Sequence, residues 1–128
     1  MDKQLKEWLK RFAVYLIEQW GLDSNFASDV ALFYLYLHHY GLSPNITSGW
    51  RSPEKQNELL QRYLAGDPSV IYKPAKNSKH LNVNWLGKPA SLAVDITCTN
   101  YRIAAEIARK LKIKPGLDFN DKVHFQAL

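Results

Sequence analysis

The chain has one cysteine, Cys98, so it cannot form an internal disulfide, and a thiolate cage for a metal is excluded because there is no partner cysteine. Any metal would have to be held by imidazole and carboxylate. No apolar run approaches the roughly 20 residues of a bilayer span, and the opening MDKQLKEW lacks the apolar core of a secretory signal. The expectation is synthesis in a cytoplasm without stable membrane insertion, any action outside depending on separate release. No repeat, low-complexity tract or linker interrupts the 128 residues, which predicts a single domain, 1–128.

What is present fits a folded protein. A hydrophobic fraction of 46% with four tryptophans is too rich for a disordered chain, while a mean hydropathy of -0.34 is ordinary for a water-exposed fold. The net charge of +5 favours polyanionic surroundings: nucleic acid, anionic lipid or a bacterial wall. The basic residues are spread along the chain and not gathered with aromatics on one helix, so no specific nucleic-acid partner is expected.

Leu5, Trp8, Leu9, Phe12, Leu16 and Ile17 recur at helical spacing and stop at Gly21. Asp23 or Ser24 caps a second, largely apolar helix ending at Gly41. His38 and His39 fall at its carbonyl end, a favourable place for imidazole, and are read as structural. SPNITSGW reads as a turn and short strand, Ser52 and Pro53 open a third helix that ends at Gly66-Asp67-Pro68, and 69–79 reads as a surface loop. Thr99 is expected to cap a last helix, and KVHFQAL to close the chain as a strand after Pro115-Gly116. The class is α+β, a small antiparallel sheet packed with four helices.

HLNVNWLGKPASLAVDI reads as a β-hairpin. Leu81, Val83 and Trp85 alternate with His80, Asn82 and Asn84, and Leu92, Val94 and Ile96 alternate with Ser91, Ala93 and Asp95. Facing residues of an antiparallel pair share a side, so joining the apolar sets puts His80 and Asp95 together on the other face. This permits a metal site without requiring one; taken alone, an ordinary solvated hairpin face is the simpler reading. His124 is the candidate third ligand, although a histidine between Val123 and Phe125 also reads as a partly buried imidazole bonded to backbone. Asp121, three residues earlier, is a carboxylate suited to take a proton from water. Two histidines, one aspartate and an open position form a catalytic and not a structural zinc arrangement.

In order, ITSGWRSPEKQ, SKH, LAVDI and DKVHF resemble the zinc D-alanyl-D-alanine carboxypeptidase and L-alanyl-D-glutamate endopeptidase family, which includes phage endolysins and shares a fold with the hedgehog signalling domain. The resemblance spans 46–126 and leaves the helical part, 1–41, without a motif. It implies zinc ligands at His80, Asp95 and His124, a catalytic base at Asp121, and an arginine at Arg51 holding a substrate carboxylate or carbonyl oxygen. Ser78 matches the motif serine that orients substrate or a ligand, and Gln56 is a looser match in substrate binding. By itself Arg51 would read as an exposed residue ahead of a helix.

Three departures stand out. Fourteen residues separate His80 from Asp95 where the family pattern has six, Ser91 replaces the motif glycine, and Trp50 replaces the tyrosine before the arginine. The implied activity is zinc-dependent hydrolysis of an amide in the peptidoglycan stem peptide by a monomer, with L-alanyl-D-glutamate cleavage as the main expectation. D-alanyl-D-alanine carboxypeptidase activity and an inactive wall-binding relative are the alternatives. The implied context is phage lysis after release from the cytoplasm, or a virion-borne wall hydrolase.

Overall fold

The structure, a computed structural model, describes residues 2–128. Helix α1 (Lys3–Trp20) is N-capped by the Asp2 carboxylate, which accepts from Gln4 N–H, and it ends at Gly21, whose φ of 64° is the left-handed conformation glycine adopts without strain. Helix α2 (Ser24–His39) starts at Asp23, which accepts from Phe26 N–H at 3.0 Å. Strand β1 (Asn45–Ser48) follows, then helix α3 (Pro53–Leu64) with Ser52 as cap and proline at its start. After a long loop come strand β2 (Ala93–Thr97), helix α4 (Tyr101–Lys110), strand β3 (Ile113–Pro115) and strand β4 (His124–Ala127).

The four strands form one antiparallel sheet in the order β1-β2-β4-β3, so the α+β expectation holds. Helices α2 and α4 lie against one face, and α1 packs on α2. Phe33 of α2 meets Phe125 of β4 with ring centroids 4.8 Å apart, over a floor of Val94, Ile96 and Ile113. Ala104, Ala105 and Ala108 are fully buried on α4, small side chains that let the helix lie close. Backbone bonds join the helical part to the rest: Ser91 N–H donates to Gly21 O at 2.8 Å and Asp23 N–H to Ser91 O at 2.9 Å.

Two expectations need correction. The cap of α4 is Asn100, which accepts from Ile103 N–H at 3.1 Å; Thr99 instead bonds Leu42 O through both its N–H and its hydroxyl. The hairpin between His80 and Asp95 does not form. His80 sits in a 3-10 turn (Lys79–Leu81), and the next residues form a short loop with one β-bridge, Val83–Pro89, flanked by backbone bonds from Asn84 N–H to Lys88 O and from Ala90 N–H to Asn82 O. Asp95 cannot pair with that arm because β2 is interior, flanked by β1 and β4. The alternation in 81–85 is present, but Val83 and Trp85 face outward, 45% and 90% exposed, and Leu81 is only half-buried. Strand β3, three residues long and ending in proline, carried no alternation from which to expect it.

Candidate metal centre

Register brings the site together. Asp95 is the direct cross-strand partner of His124 on one side and of Ser48 on the other, so these side chains share the face opposite the helices. His80 arrives from the 3-10 turn, where the Ser78 hydroxyl accepts from His80 N–H at 3.2 Å, which caps the turn and aims the imidazole inward. His80 Nε2 lies 3.1 Å from Asp95 Oδ1, and His124 Nδ1 lies 3.4 Å from the same oxygen. One ligand atom from each of the three lies within 4.8 Å of the others. His80 and His124 are buried while Asp95 is half-buried.

The remaining ring nitrogens are committed. His80 Nδ1 lies 2.7 Å from Gly49 O, a carbonyl that can only accept, so that nitrogen carries the proton. A neutral His80 therefore directs the lone pair of Nε2 at a carboxylate oxygen. His124 Nε2 is similarly engaged, 2.8 Å from Gln126 Oε1, which leaves Nδ1 facing Asp95. Two imidazole lone pairs and a carboxylate converging on one point repel unless a proton or a cation lies between them. Outer-nitrogen partners of this kind fix the tautomers of metal-bound histidines. The donor set of two nitrogens and one oxygen suits a divalent transition metal, zinc among them, with a position left for water or substrate.

Asp121 borders the same point, with Oδ2 4.0 Å from His124 Nδ1 and a buried Oδ1 that has no hydrogen-bond partner among the described residues. Burial, reinforced by the negative charge of Asp95, pushes its carboxyl above the ordinary range. Asp95 goes the other way: burial opposes its ionisation, but where a proton and not a metal lies between the groups, hydrogen bonds from the imidazoles of His124 and His80 outweigh that and hold its carboxyl well below the usual range. His124 is disfavoured as a cation by burial, yet its bonds to Asp95 and Gln126 raise it above the ordinary histidine value.

The loop carrying Asp121 depends on Gly116. Asp121 N–H donates to Gly116 O at 2.8 Å and His124 N–H to Asp121 O at 3.0 Å, and a Cβ on Gly116 would lie 2.8 Å from His124 Cβ and run into Asp121 O. Arg51 stands on the opposite side. Its Nη1 donates to Gln56 Oε1 at 2.8 Å and its Nη2 to Ser48 Oγ at 3.0 Å, with Nη2 3.6 Å from Asp95 Oδ2. Gln56 is itself held by donating to Ala75 O at 2.6 Å, which anchors the loop forming the outer wall of the cleft.

All seven candidate residues, Arg51, Gln56, Ser78, His80, Asp95, Asp121 and His124, border one cleft of about 510 Å³. His38 and His39 are exposed at the end of α2, away from it. Sequence reasoning missed Ser48, Gly49 and Gln126. Gln126 was recoverable, since it lies two residues past His124 in a strand and so on the same face. The Gly49 carbonyl left no trace in residue type. Ser91, in place of the motif glycine, is fully buried and turns its hydroxyl to Ala93 O at 2.6 Å, so it supports the start of β2 and does not enter the cleft.

No family model and no curated protein matches this chain. Among solved structures, it is similar to the vancomycin-resistance D,D-pentapeptidase VanY from a VanB-type cassette, an alanine variant in complex with Zn(II). The TM-score is 0.61 at 19% identity, over 83% of this chain and 72% of that one. A second similar structure is VanYB in complex with D-alanine-D-alanine, with a TM-score of 0.62 at 19% identity, over 83% and 71% of the two chains. The chain shares the VanY-like α+β fold.

Proposed function

We propose that the protein is a zinc-dependent peptidase acting on the stem peptide of bacterial peptidoglycan. The observation that carries this reading is the convergence of His80, Asp95 and His124 with both outer ring nitrogens tied off and Asp121 unsatisfied beside them. His80, Asp95 and His124 would hold the ion. Zinc bound there supplies Lewis acidity, which acidifies water and polarises an amide carbonyl.

The rest of the chemistry belongs to the chain. Asp121, destabilised as an anion by burial and by Asp95, takes the proton of the attacking water and hands it to the leaving amine, its unpartnered oxygen being free to accept it. Arg51 keeps N–H groups beyond the two that bind Gln56 and Ser48 and offers them to the oxygen that gains negative charge, or to a substrate carboxylate. Gln56 and Ser48 keep the guanidinium plane in place, and Ser78 sets the turn that presents His80.

Hydrolysis at D-alanyl-D-alanine is favoured by the fold shared with a protein seen in complex with that dipeptide. A second reading, cleavage at L-alanyl-D-glutamate, is favoured by a further groove that also borders Arg51, which lets a substrate run on past the reacting amide. Digestion of purified peptidoglycan by the zinc-loaded protein tests both. The freed terminus identifies the bond, and protein that takes up no metal and releases no new amine would instead be a wall-binding relative without activity.

A further inference from the structure

The groove beyond Arg51 has a volume of about 590 Å³, within the range of small-ligand sites, and its make-up differs from that of the catalytic cleft. Trp20, at the end of α1 and packed in part on the core, and Trp50, whose indole nitrogen is buried, both border it. Around them stand Gln19, Thr47 and Ser52, neutral groups able to give and accept hydrogen bonds, with two cations in Arg51 and Lys55 and one anion in Glu18. Both indoles are only partly buried, and Gln19, Thr47 and Lys55 are exposed. Flat apolar faces ringed by hydroxyl and amide groups, with little net charge, match a ligand whose rings have apolar faces and hydroxyl edges.

Pro89 forms the far lip of this groove and is bridged to Val83 at the stem of the loop inserted between His80 and Asp95. That loop is held rigid. Asn84 Oδ1 accepts from Leu86 N–H at 2.9 Å and from Lys88 N–H at 3.1 Å, Asn84 N–H donates to Lys88 O at 2.9 Å, and Asn82 Nδ2 donates to Ala90 O at 2.9 Å. Its tip holds Trp85 out at 90% exposure. A fixed turn that leaves an indole in water gains nothing in packing, and indole is an anchor with few rotamers to lose on binding.

We propose that the Trp20–Trp50 groove and the Trp85 loop form a saccharide-binding site for the N-acetylated amino-sugar strand to which the stem peptide is attached. Pyranose rings lie against the indoles, and the neutral side chains bond their hydroxyl and acetamido groups. The identity of the sugar rests on the peptidoglycan reading above; saccharide binding itself does not. The site shares Arg51 with the metal centre, so the strand is held where its peptide enters the cleft.

The test uses the full chain and two probes without peptide: a tetramer of N-acetylglucosamine, and peptidoglycan glycan stripped of its stem peptides by an amidase. Calorimetry or chemical-shift titration should show binding to both probes. Trp85→Ala should weaken it about tenfold, as truncation of an aromatic anchor does, and the double change Gln19→Ala with Lys55→Ala should weaken it also. Trp85 and these two side chains are exposed, so folding should persist, and hydrolysis of a small sugar-free peptide should be unchanged in the Trp85 variant. Absence of saccharide binding, affinity unaltered by Trp85→Ala, or a Trp85-dependent attachment to lipid vesicles and not to glycan would overturn the proposal. Each of those results is compatible with intact peptide hydrolysis, whereas loss of hydrolysis with saccharide binding intact would count against the peptidase reading alone.

Discussion

Asp95 and His124 face each other directly across β2 and β4, and the Asp95 oxygen 3.4 Å from His124 Nδ1 is the one that also lies 3.1 Å from His80 Nε2. A single carboxylate oxygen on an interior strand is thus the pivot of the site, and the two histidines are arranged around it.

The ligand set predicts about one zinc per chain, and His80→Ala or His124→Ala should abolish stable uptake. Gln126→Leu frees the His124 ring without removing a ligand, so metal affinity should fall by roughly 10- to 100-fold, the usual loss for an outer partner. Competition against a coloured chelator measures both.

Asp121→Asn keeps the side-chain volume and removes the base. Hydrolysis should drop by about 100- to 10,000-fold while metal content is unchanged. In the metal-free protein, burial and then the charge of Asp95 hold Asp121 above the ordinary carboxylate value of 3.8, and a cation bound beside it should draw it back down, a difference that NMR titration of the carboxyl with and without zinc reads directly.

Stability of the metal-free protein should pass through a maximum in mildly acidic solution. His124 is raised above 6.5, so its contribution is complete below that pH and is lost as pH rises through the higher folded value. Asp95 is lowered from 3.8, so its contribution is present above that pH and disappears as pH falls through the lower folded value. The gain in Tm on adding zinc should run the other way, growing as pH rises past 6.5, because a metal needs the histidine neutral. Thermal unfolding with and without zinc across pH 4 to 8 shows whether the two trends cross.

Gly116→Ala should shift Asp121 and His124 together, since the new methyl meets backbone with no flexible neighbour to yield. A loss of about 1–3 kcal/mol in unfolding free energy is expected, with weakened zinc binding. Retention of both stability and affinity would mean that the loop adjusts more freely than its hydrogen bonds imply.

Arg51→Lys retains the charge but not the planar fork, and it cannot satisfy Gln56 and Ser48 together. Reduced kcat/KM with unaltered metal content is expected, and an undiminished kcat/KM in Arg51→Lys would show that charge alone suffices.

The helices were legible because their signals are local: Asp23, Ser52 and Pro53 stand at helix starts, and Gly21 stops α1. The site residues were legible through four short motifs in order. The route by which they meet was not. Alternation in 80–96 suggested a hairpin, whereas Asp95 pairs with strands whose partners lie about 50 residues before it and 30 after it. Alternation records which side a residue faces and is silent about its neighbour, so sharing a face was right for Asp95 and wrong for the arm opposite it. Gly49 escaped because it acts through its carbonyl, which every residue has.

Phe125, next to His124, rests on Phe33 of α2, and the residue that opens the path to β2 is bonded to the turn between α1 and α2. The motif-free first third of the chain is therefore the bed on which the ligand-bearing strand lies. Shortening the protein to its recognisable motifs would leave every reactive side chain in the sequence and remove the surface that keeps them facing one another.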